Sequence, residues 1–137
     1  LDRTDEMIIR LLSADSRMSN TAIAQKLNMS ESAVRRRISN LVSSGRIRRF
    51  TVELDDRDVT SAITWVSVSP SVPTSEVSTR IKGVPGVEVV YETAGQFDVA
   101  AVIKGANIVE INRSVEGIRK ISGVINTNTT IVLRTIR

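Results

Sequence analysis

The chain has 137 residues, 41% hydrophobic and 25% charged, the make-up of one ordinary domain or two small ones, with no apolar run near the roughly 18 residues of a membrane span. It contains no cysteine and no histidine, which excludes disulfide frameworks, thiol catalysis, Cys/His zinc sites and every mechanism that needs an imidazole. Its 19 basic and 15 acidic side chains leave a formal charge of +4, and the start at Leu1 without a charged, apolar, small-residue leader implies a trimmed N-terminus and a cytoplasmic protein.

The first part predicts three helices. Asp2 can cap a helix over about residues 3–14, with Asp5 in its first turn and Ile8, Leu11 and Leu12 at helical spacing. Asp15-Ser16-Arg17 breaks it, and Ser19 or Asn20 caps a second short helix whose apolar face is Ile23, Ala24 and Leu27. Asn28-Met29 reads as a tight turn. Ser30 then caps a third helix, with Glu31 in its first turn and Val34, Ile38, Leu41 and Val42 as the buried stripe, and Ser43-Ser44-Gly45 ends it. Arg48 to Leu54 alternates like a strand, and Asp55-Asp56-Arg57-Asp58 is a charged connector.

Beyond the connector the predicted order is strand, helix, strand, strand, helix, strand. The spans are about 62–68, 75–82, 87–93, 98–103, 107–121 and 124–133. Val84-Pro85-Gly86-Val87 and Ile121-Ser122-Gly123-Val124 occupy the same place in two halves, each where a helix hands over to a strand. The fold class is therefore α+β: a three-helix helix-turn-helix domain of winged type over 1–47, a strand and hinge linker over 48–60, and a ferredoxin-like βαββαβ domain over 61–137. The strands of that domain are apolar on both faces, yet two helices cover only one face of a four-stranded antiparallel sheet. A second copy covering the other face, in a sheet-to-sheet dimer, is the simplest arrangement.

Charge is unevenly laid out. Between Lys26 and Arg49 stand Lys26, Arg35, Arg36, Arg37, Arg46, Arg48 and Arg49 against the single Glu31, whereas residues 55–137 balance to zero. A one-sign cluster is the footprint of a polyanion site, where an ordinary solvated helix face would mix signs along i,i+4 pairs. Stepping about 100° per residue from Val34 sends Ser32, Arg35, Arg36 and Ser39 to the side opposite the buried stripe. A helix fits the major groove, where Arg binds guanine in bidentate fashion, so Ser32 and Arg36 are assigned to base edges. Arg35, Arg37 and Ser39 are assigned to phosphates, with Arg46, Arg48 and Arg49 beside the backbone supplying salt-sensitive affinity. None of the four aromatics, Phe50, Trp65, Tyr91 and Phe97, interleaves with the basic cluster, so the stacking platforms of single-strand and RNA binders are missing and double-stranded DNA is preferred.

These motifs together resemble the leucine-responsive regulatory protein and asparagine regulator (Lrp/AsnC, feast/famine) family of transcription factors, over essentially the whole chain. The resemblance rests on Leu1-Asp2-Arg3-Thr4-Asp5 with Ile8 and Leu11, on Ala14 to Ser19, and on Ser30 to Leu41. In the second half, similar to the family's RAM sensing domain, it rests on Gly86-Val87, on Thr93-Ala94-Gly95-Gln96-Phe97-Asp98, and on Gly123-Val124 with Thr127, Thr129 and Ile131-Val132-Leu133. It implies a homodimer that assembles further, commonly to octamers, a helix-turn-helix pair reading a palindromic operator, and an amino-acid-like effector held between dimers. The effector positions it implies are Gly95, Gln96, Phe97, Asp98, Thr127 and Thr129. An Asp98 carboxylate suits an α-ammonium, and glycine N–H groups with threonine hydroxyls suit a carboxylate, although Gly95 can equally serve a hairpin turn and Asp98 cap it. Gln96 and Phe97 stand where many members carry an acidic residue or Asn, and Tyr.

Three functions remain to be weighed. A local, effector-responsive regulator prefers a few palindromic sites with half-sites about 10 bp apart. An architectural DNA-wrapping protein of the same fold binds with little sequence preference and little effector response. An enzyme needs a nucleophile, base or metal site, and the carboxylates Glu88, Glu92, Asp98, Glu110 and Glu116 form no such motif, so no catalytic residue, cofactor, metal or membrane partner is expected.

Overall fold

A computed structural model describes all residues, 1–137. The chain divides into two compact units, Leu1–Leu54 and Asp55–Arg137, a division that falls inside the predicted 48–60 linker. Helix α1 spans Arg3–Ala14, α2 Asn20–Leu27 and α3 Glu31–Ser43. Each begins where a short polar side chain takes up an orphan N–H: Asp2 accepts from Asp5, Ser19 from Ala22 and Ser30 from Ala33. Ile8, Leu12, Ile23, Ala24, Val34 and Leu41 form the core of this unit, one apolar stripe from each helix.

Two expectations for the elements of the first unit, Val42 in the buried stripe and a strand over 48–54, need correction. Val42, placed in the buried stripe of α3, is 45% exposed, because Val34 and Leu41 already fill the line that faces α1 and α2. Arg48 to Leu54 forms no strand. Residues 48–55 are in no strand ladder, and Phe50, Val52 and Leu54 are exposed. Alternation gives a segment strand-like side chains, but a strand exists only where a neighbouring ladder satisfies its N–H and C=O groups. The three helices accordingly stand without a wing sheet.

In the second unit β1 spans Thr60–Val68, α4 Thr74–Lys82, β2 Val87–Glu92, β3 Val99–Gly105, α5 Ile108–Arg119 and β4 Val124–Ile131. The sheet order is β2-β3-β1-β4 with every neighbouring pair antiparallel, which is the split βαβ arrangement. Val77 and Ile81 of α4 and Ile111, Val115 and Ile118 of α5 pack on Ala62, Val66, Val99, Ala101 and Ile103, all on one face. The opposite face carries Ile63, Trp65, Val89, Tyr91, Ala100 and Val102, aligned by register: Ile63 and Val89 flank Val102, and Trp65 and Tyr91 flank Ala100. The bulge between Val87 and Val89 moves Val87 to the helix side, while alternation alone would put it on one face with Val89 and Tyr91. Gly86, at φ +92, makes the turn from α4 into β2, and Gly123, at φ +98, does the same from α5 into β4, which explains the echo in the sequence.

Candidate nucleic-acid interface and effector region

The α2–α3 turn is made by Asn28, whose φ of +53 lies in the left-handed region that Asn tolerates, and Met29 N–H closes it on the Ala24 carbonyl at 2.9 Å. That turn fixes which face of α3 is left open. Val34 is fully buried, while Ser32, Arg35, Arg36 and Ser39 are exposed on the opposite side. Arg35 lies 3.6 Å from Glu31 in an exposed i,i+4 pair, and the Ser32 hydroxyl is 3.3 Å from that of the cap Ser30. Arg36, Ser39, Arg46, Arg48 and Arg49 are exposed with no ion pair or side-chain hydrogen bond. One residue was missed: Asn40 is also exposed on α3, about 240° round from Val34, and an Asn amide is the side chain suited to adenine. The same angular walk along the helix would have found it.

Arg37 corrects the sequence reading. Instead of facing outward to a phosphate, its Nη1 donates to Asp2 Oδ2 at 2.7 Å and to Asp5 Oδ1 at 3.0 Å, across to the start of α1. Asp5 is the least exposed of the three side chains, at 20%. The Asp2 carboxyl is held below the usual carboxylate range, first by the Asp5 N–H and then by the Arg37 guanidinium, and Arg37 is raised by its bonds to Asp2 and Asp5. Two carboxylates thus neutralise this arginine, and the outward charge belongs to Lys26, Arg35, Arg36, Arg46, Arg48 and Arg49.

In the second unit the loop between β2 and β3 is closed by Thr93, whose N–H donates to the Asp98 carbonyl at 2.9 Å and whose hydroxyl donates to the Phe97 carbonyl at 2.8 Å. Gly95 (φ +146) and Gln96 are exposed at its tip. The Phe97 ring lies 6.0 Å from that of Trp65, on the sheet face away from the helices. Asp98 Oδ2 accepts the Val68 N–H at 2.8 Å, just past the Val66↔Val99 pair that ends the β1–β3 ladder, so this carboxylate completes the end of β1. Thr127 and Thr129 lie on the helix side. They sit opposite Val66 and Thr64 in the register, and the Thr129 hydroxyl is 3.1 Å from that of Thr64. They line a shallow groove of about 270 Å³ with Ile111, Val115, Arg119 and Ile131. Arg119, unremarked in the sequence, donates from Nε to Thr127 at 3.1 Å and from Nη1 to Glu116 at 3.0 Å, a cation beside the predicted threonines that only the α5–β4 packing reveals. Phe97 and the two threonines therefore fall on opposite sides of the sheet of one copy, with Gly95 and Gln96 at the loop tip and Asp98 at the end of β1. No group of three or more Asp or Glu side chains is placed to hold a metal, and no helix is long and apolar enough to cross a membrane.

Comparison with known proteins follows this division. Residues 1–48 match the model of winged helix-turn-helix DNA-binding domains, and residues 61–137 match that of the Lrp/AsnC ligand binding domain. The HTH-type transcriptional regulator LysM of Saccharolobus solfataricus is 44% identical over 135 residues, covering 98% of this chain and 95% of its own. LysM of Sulfurisphaera tokodaii is 42% identical over 134 residues, with 98% and 96% covered. Among solved structures, the feast or famine regulatory protein from M. tuberculosis complexed with L-methionine superposes with a TM-score of 0.91 at 26% identity, over 100% of this chain and 95% of that one. AsnC of E. coli shares the fold, at a TM-score of 0.84 and 17% identity over 98% and 93% of the two chains.

Proposed function

The chain belongs to the Lrp/AsnC family of HTH-type transcriptional regulators, which are not enzymes, and from that premise we propose that it recognises specific double-stranded DNA and that its assembly or DNA affinity responds to an amino-acid-like effector. The observation that carries the first half is the open face of α3, where Ser32, Arg36 and Ser39 stand exposed beside cations with a single acidic neighbour. Ser32 and Arg36 contact base edges, Arg35 and Ser39 phosphates, and Arg46, Arg48 and Arg49 the flanking backbone. The operator is palindromic, because a homodimer presents two such helices; its sheets meet through the face bearing Trp65, Tyr91 and Val102.

The second half rests on the match to a ligand-binding domain and on the chemistry of Gly95, Gln96, Phe97, Asp98, Thr127 and Thr129. Phe97 lies beside Trp65, whereas the threonines lie against α5, so one ligand touching both sets is shared by two copies and its binding is linked to assembly. Higher assembly, up to an octamer, supplies the copies. The architectural reading draws on the same arginines, because phosphate contacts alone give affinity without sequence preference.

One titration separates the two. Fluorescence anisotropy at fixed salt compares DNA from upstream of the protein's own gene with a shuffled duplex, with and without a mixture of the twenty amino acids. An affinity gap that moves with the mixture is the expected result, and light scattering of the same samples gives the assembly. Equal affinities and no shift would establish the architectural protein instead.

A further inference from the structure

Arg37, bonded to Asp2 and Asp5, ties α3 to the start of α1. The apolar hold on α3 is a narrow stripe: Val34 and Leu41, seven positions apart, lie almost directly above one another on the helix, and the partly buried Ile38 packs about 40° to one side of them. A helix gripped along so narrow a stripe can roll about it. With side chains ending roughly 5–6 Å from the axis, a roll of about 10° carries their tips through about 1 Å, enough to spoil a bidentate contact with a base. Arg37 leaves α3 on the flank of that stripe, and one of its nitrogens is held by two carboxylates of α1. One of these, Asp2, is itself fixed by capping α1 through its other oxygen, at 2.8 Å from Asp5 N.

We propose that Arg37 is a specificity-determining positioning residue, which sets the roll of α3 through Asp2 and Asp5 and so decides whether Arg36 and Ser32 meet base edges. The proposal rests on the sequence-specific reading above. It differs from a phosphate contact in what it changes. A phosphate contact adds affinity for every sequence and about one unit of salt slope; a positioning tie adds discrimination and leaves the slope alone. It differs from a merely structural ion pair too, since lost stability lowers binding to all DNA in proportion to the unfolded fraction.

The test measures own-promoter and shuffled duplexes across a salt series, well below the melting temperature, for the wild type and for Arg37→Gln, Arg37→Lys and Asp5→Asn. In Arg37→Gln the own-promoter affinity should fall about tenfold towards that of the shuffled duplex, the loss of one well-placed base contact, with the shuffled-duplex slope unchanged. Arg37→Lys, which keeps the charge but not the fixed fork, should recover part of the gap. Asp5→Asn is the sharpest arm. It removes a negative charge and frees Arg37, so a phosphate role predicts tighter binding to both duplexes, whereas positioning predicts a narrower gap. A slope smaller by about one in Arg37→Gln with equal weakening on both duplexes, or tighter binding by Asp5→Asn with its gap intact, would overturn the proposal. A wild type with no gap defeats the sequence-specific reading instead. Amide exchange then decides for the tie itself: faster exchange across Val34 to Ser39 in Arg37→Gln, at unchanged global melting, sustains it, and unchanged exchange refutes it.

Discussion

Asp98 has two claims on it, one structural and one functional, and a pair of substitutions pulls them apart. Its Oδ2 takes the Val68 N–H at 2.8 Å, just past Val66↔Val99, the pair that ends the β1–β3 ladder. Asp98→Ala leaves that N–H without its partner beside a core valine, a loss of about 1–3 kcal/mol. For a domain of this size, 1 kcal/mol moves the midpoint by roughly 4–8 °C, so melting should fall by about 10 °C. Asp98→Asn keeps an acceptor at the same place and removes the charge, so its cost should stay below about 1 kcal/mol. Trp65 is the only tryptophan and lies against Phe97, so urea unfolding followed by its fluorescence reads this unit directly. The same proteins go into the DNA titration with amino acids. If the carboxylate holds an α-ammonium, Asp98→Asn is stable but loses the response. An Asp98→Ala protein as stable as the wild type would refute the structural half, and an undiminished amino-acid response in Asp98→Asn would refute the functional half.

Arg36→Ala should weaken binding to the specific site by about 1–3 kcal/mol and relax one base position, while Arg48→Ala should weaken all sequences alike; anisotropy on single-base operator variants distinguishes them. Gly86→Ala combines a φ of +92 with a Cβ that would lie 2.6 Å from Ser114 Oγ and 3.2 Å from the Lys104 carbonyl oxygen. Its cost should be about 2–4 kcal/mol by urea denaturation, of which adding Ser114→Ala returns part. Acid should loosen the first unit through Asp2. Its folded pKa lies below its unfolded one, so the stability it contributes is complete above about pH 4 and is lost as pH falls through the folded value. Circular dichroism melts between pH 5 and pH 2 should show a smaller decline for Asp2→Asn than for the wild type.

The elements that local chemistry specifies were legible in the sequence. The caps Asp2, Ser19 and Ser30 bond the N–H groups that their spacing implied, and the order strand, helix, strand, strand, helix, strand is that of the second unit. What the sequence could not carry was partnership across the chain. Arg37 sits in a run of three arginines and reads like its neighbours until Asp2, thirty-five residues away, is seen beside it. Arg119 is similarly ordinary until β4 brings Thr127 to it. The 48–54 stretch fails in the opposite sense: its alternation is real, but the ladder a strand needs is a property of a neighbour. The open face of α3 was readable because helical phase is local, and Val42 was misplaced because phase alone does not say how wide the buried stripe is.

If the second unit holds an effector as proposed, the layout of charge bears on how that effector can act. Six outward cations stand between Lys26 and Arg49 in the first unit, whose α1 side adds Arg3, Arg10 and Arg17, and the second unit is neutral in sum, so the net positive charge lies in the first unit. If the six between Lys26 and Arg49 all neutralise phosphates, log affinity falls with log salt by about 5 per protomer and about 11 per dimer. An effector that merely changes how firmly an intact dimer holds its site shifts affinity at constant slope. One that breaks or joins dimers changes the number of protomers on the DNA and multiplies the slope with it. The salt series with and without effector therefore identifies the mechanism without a structure of the complex, and a ligand shared between copies requires the slope to change whenever the copies sharing it part.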